Sequence, residues 1–252
     1  MFFEPSLIPD SFLPFVPVGF TELPGGSNYP HLQVMNDHSY GPCALGDLNS
    51  TIYPVCKAYH EVKVGTRRRD ADKFNVPLII SEFGACLGGE TCVAEIQGLT
   101  EACDDSLAGW AYWQFKKYGD LTTTAMTGNE GFYNEDGSLQ QDKVKALTRT
   151  YLQNTQGELL SLSFNSTTAL FNASFQVDTS IAAPTVLYYS TEYWYSDGSV
   201  LEVETAAGQA LTRNDYELRF PSENHLTVQV VNPAFNGQVV VVRLAPTSAA
   251  AF

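Results

Sequence analysis

Apolar positions follow two different regimes along the chain. Up to about residue 151 they come as short continuous runs separated by long stretches of mixed polarity. Pro77-Leu78-Ile79-Ile80-Ser81-Glu82-Phe83-Gly84 is such a run, and His31 to Tyr40 and Gly109 to Phe115 share its form. Each closes on polar or aromatic groups and then a loop, and Met1-Phe2-Phe3-Glu4-Pro5 reads as a fourth, cut at its start. A run of this kind predicts a strand buried on both faces, as in a parallel sheet. The stretches between them, Val55 to Asn75, Cys92 to Ala108 and Gln140 to Leu152, are compatible with helices. The last follows Glu135-Asp136-Gly137-Ser138, a turn with capping potential. Strands alternating with helices predict a parallel α/β sheet.

After Tyr151 the regime changes to short β-rich runs with turns between them: Leu159–Phe164, Leu170–Val177, Thr185–Tyr189, Val200–Glu204, Tyr216–Phe220, His225–Val231 and Gln238–Leu244. Several alternate polar with apolar residues, as in Leu226-Thr227-Val228-Gln229-Val230, and Asp197-Gly198 and Asn236-Gly237 are strong turn signals. Such a series predicts an antiparallel β-sandwich. The expected organisation is therefore an α/β domain over residues 1–153 and a β-sandwich over 154–252.

Composition narrows the function classes. The chain has 252 residues, 44% of them hydrophobic and 12% aromatic, which suits a globular protein. No run of about 18 apolar residues occurs, so no membrane-spanning helix is expected. A net charge of −14 argues against nucleic acid as a partner. The one basic cluster, Arg67-Arg68-Arg69, is followed by Asp70 and Asp72 and reads as a solvated helix face. The cysteines at 43, 56, 86, 92 and 103 have no zinc-site spacing, and no metal or cofactor is expected. Cys86 and Cys92 flank a loop short enough for a local bridge, with Cys103 the other nearby candidate. Sequons at Asn49, Asn165 and Asn172, together with the cysteines, favour a secreted or endolysosomal setting. The amino terminus does not read as a signal peptide: it has no basic region, and the first thirty residues hold six prolines.

The candidate chemistry lies at the strand ends. In parallel α/β folds, loops at the strands' carboxyl ends converge on one crevice. His38 and Tyr40 end one predicted strand, Glu82 the next and Trp113 the third. A carboxylate, a phenol, an imidazole and an indole in one cleft suit sugar chemistry. The carboxylate attacks an anomeric carbon, the phenol orients it, and the indole offers an apolar platform to a pyranose ring. An ionised Glu82 ending a buried strand is costly unless it is hydrogen-bonded, and Tyr40 is the expected donor.

Ile80-Ser81-Glu82-Phe83-Gly84, with His38-Ser39-Tyr40 upstream and Trp113 downstream, resembles the carboxyl-terminal half of a glycoside hydrolase family 5 barrel. The resemblance narrows to endoglycoceramidase-like members through Leu147-Thr148-Arg149-Thr150-Tyr151 and Ala182-Ala183-Pro184-Thr185-Val186-Leu187-Tyr188-Tyr189. It implies strands five to eight of a (β/α)8 TIM barrel followed by the family's β-sandwich. By the same resemblance Glu82 is the nucleophile, His38 and Tyr40 end strand six, and Trp113 floors the subsite of the sugar being cleaved. The implied substrate is a glycosphingolipid, cut between oligosaccharide and ceramide.

One part of the family pattern is missing. The acid/base of such enzymes sits in an Asn-Glu-Pro motif, and none occurs here. Phe3-Glu4-Pro5 has the only Glu-Pro pair, with Phe3 in place of asparagine, so Glu4 is expected to line the cleft rather than donate the proton. The chain is thus expected to be a fragment, inactive alone, lacking the amino-terminal half of the barrel and exposing two long apolar sheet edges. A competing reading is a non-catalytic carbohydrate- or lipid-binding protein. On that competing reading the apolar, proline-rich stretch from Leu7 to Pro24 is a candidate for transient contact with ceramide or a membrane surface, though a long loop packed over the barrel is the expected arrangement.

Overall fold

The computed structural model describes residues 1–5, 15–45, 53–116 and 130–249. The chain forms two compact units, Met1–Leu147 and Thr148–Phe252. The boundary expected after residue 153 would fall inside a strand, Tyr151–Asn154, so the division comes earlier. That strand and the short helix before it, Gln141–Leu147, replace the single helix expected to reach Leu152.

In the first unit four strands lie side by side in chain order: β1 (Phe2–Phe3), β2 (Val34–Ser39), β3 (Leu78–Phe83) and β4 (Gly109–Trp110). All three pairings are parallel. Helix α1 (Tyr53–Phe74) joins β2 to β3, helix α2 (Gly89–Asp105) joins β3 to β4, and α3 (Gln141–Leu147) ends the unit. The strand–helix alternation read from the sequence is present. The sheet edges, however, are not long: β1 and β4 have two residues each, so little unpaired backbone is presented there.

Burial in β2 and β3 explains which side faces the helices. In β2, Met35, Asp37 and Ser39 are buried while Val34, Asn36 and His38 are half-buried, the period of two expected of a strand. Met35, Leu78, Ile80 and Phe83 join Val64 and Ala71 of α1 and Ile96, Leu99 and Cys103 of α2 in one core. The helix-facing side also carries charge. Arg67 of the expected solvated cluster is fully buried, with Nε 2.6 Å from Asp37, Nη1 2.5 Å from Asp70 and Nη2 donating to the Val16 carbonyl. Lys63, also fully buried, lies 3.6 Å from Asp37. For Arg67 the reading of a solvated face fails, because its partner Asp37 lies thirty residues upstream on another element, where local charge patterning does not reach; Arg69 is exposed and Arg68 half-buried.

Residues 7–14 of the stretch from Leu7 to Pro24 lie outside the described residues, as does the Asn49 sequon. The described remainder is tied to the unit: Val18 N–H donates to Asp70, Lys73 donates to the Phe20 carbonyl, and Phe20 meets Phe3 edge-on. Disulfides join Cys43 to Cys56 and Cys86 to Cys92, and Cys103 is buried.

The second unit has two four-stranded antiparallel sheets. One has the order β10 (Tyr216–Ser222), β11 (His225–Val230), β8 (Thr185–Tyr188), β5 (Tyr151–Asn154). The other runs β6 (Gly157–Asn165), β7 (Leu170–Val177), β12 (Val239–Pro246), β9 (Ser199–Thr205). Alternate residues of both, such as Phe171, Ala173 and Phe175 with Leu187, Leu226 and Val228, form one core. The chain passes from one sheet to the other at Gln156-Gly157. The Gln156 side chain is buried and hydrogen-bonds Val230 on both its N–H and its carbonyl. Gly157 has φ +140°, and a Cβ there would lie 1.9 Å from the Gln176 carbonyl oxygen, so only glycine fits.

Candidate active site

Glu82 belongs to a strand whose alternation would turn it toward the helices. Leu78 and Ile80 are buried, Ile79 and Ser81 are not, and strict period two would send Glu82 to the buried face. The register breaks at this point. Asp37 pairs with Ile80, but His38 pairs with Glu82, so Ser81 is an extra residue bulged out of the ladder. The bulge re-aims Glu82 onto the face shared by Asn36 and His38. This answers how a buried strand ends on a carboxylate: the carboxylate is not on the buried side. Its side chain is 29% exposed.

Two groups converge on one oxygen of Glu82. The Tyr40 hydroxyl donates to Oε2 at 2.8 Å, and His38 Nδ1 lies 3.4 Å from the same atom. On the other side of the imidazole, His38 Nε2 lies 3.6 Å from Glu4 Oε2, which also accepts from Asn36 Nδ2 at 2.8 Å. Glu4, Asn36, His38, Tyr40 and Glu82 thus form one chain of polar contacts across the ends of three adjacent strands. Asn36 was not singled out from the sequence, although it stands two residues before His38 and shares its face by strand alternation. The described backbone pairs Trp113 with the residues that follow Glu82. The Trp113 N–H donates to the Phe83 carbonyl and its own carbonyl accepts from Ala85. Trp113 thereby extends the β3–β4 pairing past Glu82 through its bridge to Gly84. Trp110 and Tyr112, its neighbours, pack edge-on against Phe83 in the core.

The loop after Glu82 is held from behind. Gly84 has φ +92°, and a Cβ there would lie 2.1 Å from the Tyr112 ring, so the ring and the backbone meet as closely as glycine allows. Tyr112 donates to the Glu130 carbonyl, and burial pushes its phenol well above the usual range. Lys143 of α3 is fully buried, and its amine donates to the Cys86 and Gly131 carbonyls at 2.8 and 2.9 Å. Burial pulls this ammonium down from 10.5 to about 8, with the nearby Glu130 charge partly opposing. Between these two values the unfolded chain holds a proton that the folded one has lost, so folding stability rises with pH across that window. Chemical denaturation from pH 7.5 to 10.5 is expected to show this rise, and Lys143→Met to flatten it. A fall across the same range would contradict the direction.

Among the described residues, Cys43, Cys56 and Glu95 are the one group whose ligand atoms cluster closely enough for a metal ion, and the two sulfurs are bonded to each other.

Residues 149–243 match the glycoside hydrolase family 5 C-terminal domain. Two curated endoglycoceramidases are similar to the chain. That of Cyanea nozakii is 26% identical over 71% of the chain and 33% of its own length. That of Hydra vulgaris is 23% identical over 86% of the chain and 38% of its own length. Endo-glycoceramidase II from Rhodococcus sp., solved with a cellobiose-like imidazole, superposes with a TM-score of 0.70 at 19% identity. That alignment covers 98% of the chain and 49% of the solved one, and at this identity it shows the fold. The same enzyme has been solved as a lactosyl-enzyme intermediate, at TM-score 0.67, 19% identity and matching coverage of 98% and 49%. The chain resembles the carboxyl-terminal part of endoglycoceramidases of glycoside hydrolase family 5. It spans between a third and two fifths of the length of the curated relatives it matches.

Proposed function

We propose that the protein bearing this chain is a retaining glycoside hydrolase that cuts the bond between the oligosaccharide and the ceramide of glycosphingolipids. The observation that carries this reading is the convergence of Tyr40 and His38 on Glu82 Oε2 at an accessible strand end. Both contacts use Oε2, which leaves Oε1 to attack the anomeric carbon. Attack by Glu82 forms a glycosyl ester as the ceramide oxygen leaves with a proton from the acid/base. Water, deprotonated by the same acid/base, then displaces Glu82 and releases the sugar. Tyr40 holds the carboxylate through both steps, and His38 ties it to Glu4 on the neighbouring strand. Trp113 serves as the apolar floor under the sugar. The lactosyl-enzyme intermediate of the Rhodococcus relative supports a covalent route of this kind.

On this reading β1 to β4 are strands five to eight of an eight-stranded barrel, and the second unit is its β-sandwich. The acid/base then belongs to the part of the relatives' length that this chain does not span, and the 252 residues alone are expected to hydrolyse little. The test is hydrolysis of a ganglioside fluorescently labelled on its ceramide, by the protein with the barrel complete. Release of labelled ceramide is expected, and its absence with every glycosphingolipid head group tried would refute the reading.

Two disulfides among the described residues support a secretory or endolysosomal route. Asn165 is exposed, and its Oδ1 accepts from Thr167 and Thr168 in the β6–β7 turn. Asn172 lies mid-strand in β7 with a buried Oδ1. Expression through a secretory host is therefore expected to glycosylate Asn165 and spare Asn172, as read by peptide mapping after deglycosylation. A glycan on Asn172 alone would contradict this.

A further inference from the structure

Tyr40 stands between two residues that face the opposite way. Ser39 Oγ lies 2.9 Å from Nδ1 of His60 on α1, in a buried contact. His60 Nε2 lies 3.0 Å from Oε1 of Glu95 on α2, and both side chains have zero exposure. The Gly41 N–H donates to that same Oε1 at 2.6 Å. The four residues close a ring that leaves the chain just before Tyr40, crosses two helices and rejoins it just after.

Three observations separate this ring from ordinary packing. A buried imidazole and carboxylate are expensive to desolvate, and apolar residues of equal volume would stabilise the fold as well or better. Neither Glu95 Oε2 nor His60 Nε2 has a hydrogen-bond partner among the described residues, so the carboxylate accepts from the Gly41 N–H and meets the imidazole as a close polar contact while its other oxygen goes unsatisfied. Gly41 is also the one residue type that admits the approach: a Cβ there would lie 2.6 Å from Glu95 Oε2 and 2.7 Å from His60 Nε2. The ring is not a nucleophilic triad, despite its Ser–His–Glu order, because a fully buried Ser39 reaches no substrate.

The ring belongs to a longer alternation. Asp37 is bound to Arg67 and Lys63, Ser39 to His60, Gly41 to Glu95 and Cys43 to Cys56, every second residue being fixed to the helix layer. Asn36, His38 and Tyr40, the residues between, carry the contacts to Glu4 and Glu82. We propose that His60 and Glu95 are positioning residues that set the Tyr40 phenol against Glu82, by clamping the backbone on both sides of Tyr40. The catalytic consequence rests on the proposed function; the clamp itself does not.

The test reads the Tyr40–Glu82 contact directly. In protein labelled with carbon-13 at tyrosine Cζ, the Tyr40 resonance is assigned by its loss in Tyr40→Phe. Its position without the charged acceptor is read in Glu82→Gln. Glu95→Ala is expected to move the resonance at least half way to that position. Glu95→Gln, whose amide oxygen still accepts the Gly41 N–H, is expected to restore it. Should Glu95→Ala not fold, Ser39→Ala removes a single atom from the ring and is expected to move the resonance the same way. A lowered melting temperature with the resonance unmoved in these variants would overturn the proposal, since a merely structural pair does just that. A moved resonance in a protein that hydrolyses nothing would keep the clamp and discard the reaction; an unmoved one in an active enzyme would do the reverse.

Discussion

Arg67→Ala is expected to cost about 3–5 kcal/mol of stability, the range for breaking a buried ion pair by removing one partner. The guanidinium lies between Asp37 and Asp70 with no exposure, and it also caps the Val16 carbonyl. Without it the fully buried Asp37 loses a cation at 2.6 Å, and the Lys63 amine lies farther off, at 3.6 Å. The neighbouring Arg68 pairs with the largely exposed Asp72, and Arg68→Ala is expected to cost about 1 kcal/mol or less for that pair. Urea denaturation followed by tryptophan fluorescence gives both values, with Trp110 and Trp113 reporting on the first unit. Equal effects of the two substitutions would show that burial of Arg67 does not govern its role.

Glu82→Gln is expected to reduce hydrolysis by about four orders of magnitude or more, as loss of a covalent nucleophile does in other enzymes. The amide keeps the volume and accepts the Tyr40 hydroxyl, so folding should be unaffected and the loss chemical. Tyr40→Phe removes one hydrogen bond to a charged group, worth roughly 1.5–3 kcal/mol, and should slow the reaction by about ten- to a hundredfold. The ordering matters more than either value. A Tyr40→Phe defect as deep as that of Glu82→Gln would mean the phenol takes part in chemistry rather than holding the carboxylate. Near-normal turnover by Glu82→Gln would remove Glu82 from the nucleophile's role.

The sequence made β3 legible because an apolar run between proline and glycine leaves few alternatives, and β2, though mostly polar, lies between Pro30 and Gly41; Glu82 and Tyr40 could be named because they stand where these two segments close. What stayed hidden depends on distant or sub-element detail. The bulge at Ser81 is one inserted residue, and hydrophobic patterning does not resolve a shift of one in a run apolar on both sides. Arg67, His60 and Glu95 escaped because polar residues on a helix read as solvent-facing, whereas their partners Asp37, Ser39 and Gly41 lie on another element. The helix expected to reach Leu152 stops at Leu147, and the next four-residue strand is too short to show a period. Length likewise went unread at the sheet edges, where apolar composition predicts a strand but not that pairing ends after two residues.

Chemical trapping gives the most direct test that the two faces of β2 and the bulge in β3 together aim Glu82 at a sugar. An activated 2-deoxy-2-fluoro glycoside forms its glycosyl ester readily and loses it slowly, so the intermediate accumulates. With the complete protein, the account predicts one added fluorosugar in the intact mass, carried by the peptide that contains Glu82 and absent in Glu82→Gln. An adduct on the peptide bearing Glu4, or full hydrolysis with Glu82 never labelled, would contradict it.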